Sequence, residues 1–336
     1  MRIAVFSTKQ YDRESLIAAN EHHGHELVFY ETRLSKDTTA LAFGFEGVSV
    51  FVNDDVCADC IAQLAAGGTR IISTRSAGFN QINLAAADAH GITVARVPAY
   101  SPNAISEFTV GLILTLGRKI HRAYNRVREN NFELEGLQGF EIRDKTIAVL
   151  GTGRIGAEVV KNLSGFGPRI VAYDPYRNPE IEHMVEYIDD IKDIAHQADI
   201  ITLHMPLTPE TYHIIGRESI PALKDGVMIV NTSRGALIDT AVVIEALKDG
   251  KVGAMAIDVY EEEGDLFFQD LSDRVVRDDV FSRLLTLPNV LVTGHQAFLT
   301  DRALLNIAEV TLQNFSEFEG SGHVATALTH SETRGK

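Results

Sequence analysis

Short apolar runs alternate with longer stretches of helical periodicity through the first hundred residues of the chain. Each run is about five residues long, which is a common strand length, and the stretches between them have the three- and four-residue spacing of amphipathic helices. This alternation is typical of a parallel sheet that is covered by helices. The predicted strands are residues 2–6, 26–30, 48–52, 70–74 and 93–97.

A second series of apolar runs begins at residue 146 and continues the same alternation. Its six apolar runs match the strand count of a complete doubly wound sheet. Ser101 and Pro102 supply an N-cap and a first-turn residue for one long helix that reaches about Arg128, and residues 300–319 form a second amphipathic helix. The predicted strands of this series are residues 146–150, 169–173, 199–204, 227–232, 253–258 and 290–294.

A glycine-rich turn follows the first strand of the second series directly. Gly151-x-Gly153-x-x-Gly156 lies between a strand and a helical stretch, which is the context that a dinucleotide-binding turn requires. Glycines let the backbone approach a pyrophosphate, which then lies at the helix N-terminus. Asp174 ends the next strand at the roughly 20-residue spacing expected for the acid that binds the adenosine ribose, which favours NAD over NADP. The predicted NAD contacts here are Gly151, Gly153, Arg154, Ile155, Gly156 and Asp174.

The position of this motif divides the chain. Because a full α/β series precedes it, we predict two Rossmann-like or flavodoxin-like doubly wound parallel-sheet domains with a cleft between them. Residues 101–298 form the predicted NAD-binding domain. Residues 1–100 form the predicted substrate domain, and the helix at 300–319 packs back on it, so residues 299–336 belong to the same discontinuous domain.

Charged side chains collect at the ends of the last three predicted strands. Arg234 follows the fourth strand of the second series, Glu261, Glu262 and Glu263 follow the fifth, and His295 follows the sixth. Ligands of open parallel sheets bind beyond these strand ends. Arginine can bind a carboxylate bidentately, and histidine beside a carboxylate can exchange a proton with a substrate oxygen. The constellation predicts reversible reduction of a 2-keto acid by NADH, with any of the three glutamates beside the histidine.

Further residues near these strand ends are predicted to contact the cofactor. Two of them follow the strand at 199–204 and are placed on the adenine side, and Asp258 also has a structural role beside the histidine. The predicted contacts of this group are His204, Pro206, Thr232, Ser233 and Asp258.

Composition limits the remaining possibilities. The net charge of −15 disfavours binding to nucleic acid or to an anionic membrane, and a hydrophobic fraction of 45% is ordinary for a globular protein. The first residues form a strand rather than a signal peptide, and the apolar stretch at 110–116 is too short to span a bilayer, so we expect a cytoplasmic protein. Cys57 and Cys60 form a C-x-x-C without a second pair, which favours reduced, structural cysteines and no metal site.

Several longer segments resemble the D-isomer-specific 2-hydroxyacid dehydrogenases, in family order and over nearly the whole chain. Within that family the chain is most similar to the bacterial fermentative D-lactate dehydrogenases, which implies reduction of pyruvate to D-lactate with NADH. The matching segments are residues 7–11 (STKQY), 75–80 (RSAGFN), 96–102 (RVPAYSP), 151–156 (GTGRIG), 230–236 (VNTSRGA), 258–260 (DVY) and 293–300 (TGHQAFLT).

The resemblance implies specific roles for the charged residues. Arg234 would bind the substrate carboxylate, and His295 would be the acid and base. In this family the partner of the histidine falls five residues after the aspartate of the D-V-Y segment, which selects Glu263. Backbone amides in the RSAGFN segment and two aromatic rings would surround the small substrate, and the family is typically oligomeric, so we expect a homodimer or homotetramer. The implied substrate contacts are Ala77, Gly78, Tyr100, Arg234 and Phe298.

Two alternatives remain open at this point. The first is a dehydrogenase for another 2-keto acid, such as glyoxylate, a branched 2-keto acid or phenylpyruvate, and the volume of the pocket at Tyr100 and Phe298 would separate these substrates. The second is an NAD-sensing binding protein, because a related family of transcriptional corepressors uses the same fold. The lack of a recognisable partner-binding extension and the match to metabolic enzymes favour the dehydrogenase.

Overall fold

Two α/β units are present in the computed structural model, which describes residues 1–328. The first unit comprises Met1–Ser101 and Leu299–Lys336, and the second comprises Pro102–Phe298. Residues 329–336, which the sequence analysis assigns to the discontinuous domain, lie outside the described residues. The predicted class, two domains built on parallel sheets, is confirmed.

The sheet of the first unit contains the five predicted strands, which are β1 (Arg2–Val5), β2 (Glu26–Phe29), β3 (Gly47–Val50), β4 (Ile71–Thr74) and β5 (Thr93–Ala95). They run parallel in the order β5-β4-β3-β1-β2, and the short strand Ala327–Leu328 pairs antiparallel with β5 at the edge. The two central strands, β3 and β4, are buried along their whole length, as their apolar sequences predict.

Helices cover both faces of this sheet, and one of them comes from the end of the chain. Leu312 and Phe315 of the C-terminal helix share an apolar cluster with Ile3 and Leu16, so the chain returns to the first unit. Thr300 begins this helix by accepting a hydrogen bond from a backbone N–H of its first turn. The helices of the unit are α1 (Gln10–Asn20), α2 (Ala58–Ala66), α3 (Leu84–Ala89) and the C-terminal helix Asp301–Ser321.

The second unit contains a parallel sheet with the strands β6 (Thr146–Leu150), β7 (Arg169–Tyr173), β8 (Glu186–Tyr187), β9 (Ile200–Leu203), β10 (Val227–Asn231), β11 (Val252–Ile257) and β12 (Val290–Val292). Their order in the sheet is β12-β11-β10-β9-β6-β7-β8. The prediction of six strands is wrong by one within the described residues, because β8 adds an edge strand next to β7. A strand of two residues, one of them charged, is too short to show a strand pattern in the sequence.

The prediction of one helix from 102 to about 128 is wrong. The helix ends at Gly117, and a second helix begins at Ile120 after Lys119, whose φ of +53° is left-handed. The backbone N–H of Phe140 donates to the carbonyl of Gly117, so a neighbouring loop occupies a carbonyl that a continuous helix would use. The helices are α4 (Pro102–Gly117), α5 (Ile120–Arg128), α6 (Arg154–Ser164), α7 (Ile191–Ala195), α8 (Thr240–Lys248) and α9 (Asp279–Leu285).

The strand order of the second unit determines where a ligand can bind. The chain moves from β6 to β7 in one direction across the sheet and from β9 to β10 in the other, so the order reverses between β6 and β9. Dinucleotides bind at such a switch point, beyond the carboxyl ends of the strands. Across residues 1–328, no helix has the length and apolar character needed to cross a membrane.

Candidate active site

The glycine turn leaves room for a ligand where β6 meets α6. Gly151 has a φ of +93°, and a Cβ there would lie 2.5 Å from the carbonyl oxygen of His204. A Cβ on Gly156 would collide with the carbonyl of Gly151, so both positions require glycine. Gly153 is the N-cap of α6, and nothing lies within 4 Å of where its Cβ would be. The turn is therefore a cradle open at a helix N-terminus, which fits the pyrophosphate of NAD. Arg154 and Ile155 follow as the first residues of that helix.

Asp174 follows β7 beside this turn. Its Oδ2 accepts a hydrogen bond of 2.6 Å from the backbone N–H of Thr152, and its Oδ1 accepts one of 2.8 Å from the N–H of Tyr176. These bonds fix the carboxylate beside the glycine turn. Arg177, the nearest cation in the sequence, forms an ion pair of 2.6 Å with Asp189, so its charge is already matched.

His204 and Pro206 lie on the loop that follows β9. The imidazole Nε2 of His204 is 2.8 Å from the hydroxyl of Thr202. Its Nδ1 is buried without a hydrogen-bond partner among the described residues, and burial lowers the pKa of His204 to about 3. The carbonyl of Pro206 accepts a hydrogen bond from the hydroxyl of Thr211. His204 is thus an uncharged side chain that packs behind the glycine turn.

The turn after β10 is held by hydrogen bonds at each of its residues. The hydroxyl of Thr232 lies 2.8 Å from that of Thr109 on α4, and the hydroxyl of Ser233 donates to the carbonyl of Met205. Arg234 donates from its guanidinium to the carbonyl of Ser233 at 2.7 Å. Asn231, fully buried at the end of β10, donates to the carbonyl of Arg234 and accepts from the N–H of Ser233. Asn231 is a functional residue that the sequence did not predict, although an amide at the end of an apolar strand is a usable signal.

Asp258 supports the turn that carries the histidine. It is fully buried at the end of β11, and it accepts hydrogen bonds from the hydroxyl of Thr293 and the backbone N–H groups of Gln296 and Ala297. Burial raises the pKa of Asp258, and these hydrogen bonds oppose that effect. The turn places His295 at a φ of +55°, a left-handed conformation that a residue with a Cβ adopts only where its surroundings hold it.

His295 pairs with Glu263 and not with either neighbouring glutamate. Its Nδ1 lies 2.8 Å from Oε1 of Glu263, while Oε2 of that carboxylate accepts a hydrogen bond of 3.0 Å from the backbone N–H of Tyr260. Glu261 instead contacts His213, and Glu262 is exposed. With Nδ1 on the carboxylate, the ring presents Nε2 to a ligand. Phe268 packs against the imidazole at 5.6 Å between ring centroids, a contact that the sequence did not predict.

The remaining predicted substrate residues are divided between the two units. In the first unit, the segment after β4 is held by the hydroxyl of Ser76, which donates to the carbonyl of Gly78, and by Arg96, which donates to the carbonyl of Ala77. The carbonyl of Tyr100 accepts a hydrogen bond from Asn306. In the second unit, Phe298 is buried at the end of the turn after β12.

The cysteines and acidic groups of the described residues form no second catalytic or metal-binding site. Cys57 and Cys60 are free thiols, and burial raises the pKa of Cys60 to about 12, which makes it a poor nucleophile. Within residues 1–328, no cluster of three or more His, Cys, Asp or Glu side chains could hold a metal ion.

Comparisons with known proteins agree with this geometry. Residues 110–297 match the family model of the D-isomer specific 2-hydroxyacid dehydrogenase NAD binding domain. The chain is 50% identical over 320 residues to the D-lactate dehydrogenase of Escherichia coli, covering 95% of this chain and 97% of that one. It is 50% identical to a 2-hydroxyacid dehydrogenase homolog of Haemophilus influenzae, covering 96% and 98% of the two chains. The apo-structure of the Escherichia coli D-lactate dehydrogenase superposes with a TM-score of 0.89 at 47% identity, covering 98% of this chain and all of that one. The chain belongs to the NAD-dependent D-isomer-specific 2-hydroxyacid dehydrogenases.

Proposed function

We propose that this enzyme is a D-lactate dehydrogenase, which reduces pyruvate to D-lactate reversibly. The observation that carries the proposal is the 2.8 Å contact between His295, after β12, and Glu263, after β11, the strand that pairs with β10 and thus adjoins the end that bears Arg234. The name and identity of the Escherichia coli relative support the choice of lactate within the family.

His295 is the proposed acid and base. In the direction of reduction its Nε2 gives a proton to the substrate carbonyl oxygen, and in the reverse direction it accepts the proton from the hydroxyl. Glu263 stabilises the imidazolium and keeps Nδ1 occupied, so that the proton is exchanged at Nε2. NADH, when bound, supplies the hydride that the carbonyl carbon receives. The imidazole then recovers its proton from solvent.

Arg234 is the proposed anchor of the substrate carboxylate. Its planar guanidinium can donate two parallel hydrogen bonds to a carboxylate, a geometry that a lysine ammonium does not reproduce. Such an anchor fixes the orientation of the carbonyl carbon that is next to the carboxylate. We also assign Ala77, Gly78, Tyr100 and Phe298 to substrate binding, as the family resemblance implies.

The cofactor contacts follow from the glycine turn. Gly151, Gly153 and Gly156 are the proposed pyrophosphate cradle, and Asp174 the proposed ligand of the ribose hydroxyls. The first unit then serves as substrate domain and the second as NAD-binding domain. The other proposed contacts are Arg154, Ile155, His204, Pro206, Thr232, Ser233 and Asp258.

The decisive experiment follows NADH oxidation by the purified enzyme with pyruvate, with chiral analysis of the product. Rapid oxidation that yields D-lactate supports the proposal. The same preparation is offered glyoxylate, a branched 2-keto acid and phenylpyruvate, and a clear preference for one of these would overturn the lactate assignment. No oxidation with any of them would favour an NAD-sensing protein. His295→Gln, prepared identically, controls for a contaminating dehydrogenase.

We also propose a homo-oligomer that forms through α5. Ile120, Tyr124 and Val127 lie on one face of this helix and are exposed, and Phe132 and Leu134 extend the apolar patch with 70% and 82% exposure. Exposed apolar patches of this kind mark association surfaces. Val127→Asp should lower the mass measured by light scattering to that of the monomer, whereas Val275→Asp, at a valine elsewhere that is more exposed (88% against 53%), should not. An unchanged mass in both variants would contradict this interface.

A further inference from the structure

Glu261 lies two residues before Glu263, and its carboxylate makes a different set of contacts. Its Oε2 is 3.0 Å from Nε2 of His213, and its Oε1 accepts a hydrogen bond of 3.2 Å from the backbone N–H of Thr240. The side chains of Glu261 and His213 are 20% and 26% exposed, so most of the contact is shielded from solvent. Both carboxylate oxygens are engaged, which restrains the backbone of Glu261.

His213 is itself held on several sides. Its backbone N–H donates to the carbonyl of Ala236 at 2.9 Å, and its ring stacks on Tyr212 with 3.9 Å between ring centroids. Its Nδ1 lies 3.7 Å from the carboxylate of Asp239. The φ of His213 is +51°, a left-handed conformation that persists for such a residue only where neighbours impose it. The ring is therefore a rigid attachment point for Glu261.

The turn that carries Arg234 contacts both of these segments. A Cβ on Gly235 would collide with the peptide between Tyr260 and Glu261, so the two backbones touch directly. On the other side, Ile238 forms an isolated parallel bridge with Ile215, two residues beyond His213. Residues 234–240 therefore touch both the segment of His213 and the loop of Glu261. The contact between His213 and Glu261 links these two segments directly.

We propose that His213 and Glu261 are positioning residues that hold the Glu263 carboxylate against His295. Only one residue separates Glu261 from the group that holds Glu263. The backbone N–H of Tyr260 donates to Oε2 of Glu263, and the next peptide of the chain joins Tyr260 to Glu261. A displacement of that peptide would carry the carboxylate with it. Misplacement of a catalytic group by about 1 Å can cost about 100-fold in rate. The inference rests on the proposed roles of Glu263 and His295.

The test compares alanine with a conservative replacement at each position. His213→Ala and Glu261→Ala should lower kcat for pyruvate reduction about tenfold and leave the Kd of NADH, from fluorescence titration, within about twofold. His213→Gln retains an amide donor for Glu261 and should recover most of the loss. His183→Ala, an exposed histidine of the same unit, is the matched control and should retain full activity. If alanine at position 213 prevents folding, asparagine replaces it, because its shorter amide does not reach Glu261.

A double-mutant cycle separates positioning from a general loss of structure. In a Glu263→Gln background no carboxylate remains to be positioned, so His213→Ala should have little further effect on kcat. The same fold-loss in both backgrounds would overturn the proposal, as would wild-type kcat in both alanine variants. If His295→Gln itself keeps full activity, the proposed function fails. If His295→Gln loses activity and the position-213 variants do not, the positioning role alone is wrong.

Discussion

Two histidines follow the carboxyl ends of strands in the second sheet, and their surroundings differ. His295, after β12, has a carboxylate 2.8 Å from Nδ1 and a side chain that is 23% exposed. His204, after β9, bonds the hydroxyl of Thr202, and its other ring nitrogen is buried without a partner among the described residues. Burial lowers the pKa of His204 to about 3, so this imidazole stays neutral at any physiological pH.

The contrast shows that a strand-end position does not by itself make a histidine an acid or a base. Among the described residues, no carboxylate pairs with His204, and its ring packs behind the glycine turn, since a Cβ on Gly156 would lie 3.4 Å from the Cβ of His204. His295 has Glu263 on one nitrogen, which leaves the other to a ligand. One histidine packs behind the glycine turn, and the other has the partner that the proposed acid and base requires.

The largest effect is expected when His295, the proposed proton donor, is replaced. His295→Gln should lower kcat for pyruvate reduction about 1,000-fold, because the general acid is lost. NADH binding, measured by fluorescence, should be retained. His183→Gln changes an exposed histidine of the same unit and should behave as the wild type. A His295→Gln enzyme with substantial turnover would assign the proton transfer to another group.

Most of this contrast could be predicted from the sequence, because strand ends are visible in it. Apolar runs locate β6, β9 and β12, and parallel strands in a doubly wound sheet share one edge for their carboxyl ends. His295 and Arg234 could therefore be placed together without coordinates. The two-residue strand β8 and the break at Lys119 could not, because each depends on a tertiary contact rather than on local pattern.

The choice among three consecutive glutamates shows where the sequence stops being informative. Glu261, Glu262 and Glu263 are chemically identical, and only the family resemblance selected the last. The structure separates them by their contacts, since His213 binds the first and His295 the third. His213 lies 48 positions before Glu261 in the chain, so no spacing rule connects the two. Side-chain packing over such a separation decides contacts that a single sequence leaves undetermined.

The next largest effect is expected at Arg234, the cation that follows β10. Arg234→Lys retains the charge and removes the planar pair of donors, so kcat/KM for pyruvate should fall about 100-fold. The loss should appear in KM as well as in kcat, because the carboxylate is held in both the ground state and the transition state. Arg217→Lys, at an exposed arginine of the same unit, is the matched control. Unchanged kinetics in Arg234→Lys would contradict bidentate binding.

A smaller effect is expected when the charge beside His295 is removed. Glu263→Gln keeps the shape of the side chain but stabilises the imidazolium less. Pyruvate reduction requires the protonated ring, so its rate should decline at a pH about one unit lower than in the wild type. Lactate oxidation requires the neutral ring, so the acidic limb of its pH profile should also move to lower pH by about one unit. Glu262→Gln, an exposed neighbour, should leave both limbs in place. Unmoved limbs in Glu263→Gln would indicate that another carboxylate is the partner.

The smallest effect is expected in the pH dependence of the free energy of unfolding, to which the neutral His204 contributes. The folded protein holds the pKa of His204 at about 3, below its usual 6.5, so below pH 6.5 the unfolded chain binds a proton that the folded chain does not. Stability is therefore lost as the pH falls from 6.5 towards 3. Between pH 7 and pH 5 the free energy of unfolding of the wild type should drop by about 2 kcal/mol more than that of His204→Asn. Urea unfolding without cofactor at both pH values measures this difference, with His183→Asn as the control that keeps the wild-type pH dependence. Equal drops in wild type and His204→Asn would mean that the ring takes up a proton in the folded state, and the contrast with His295 would then rest on the carboxylate alone.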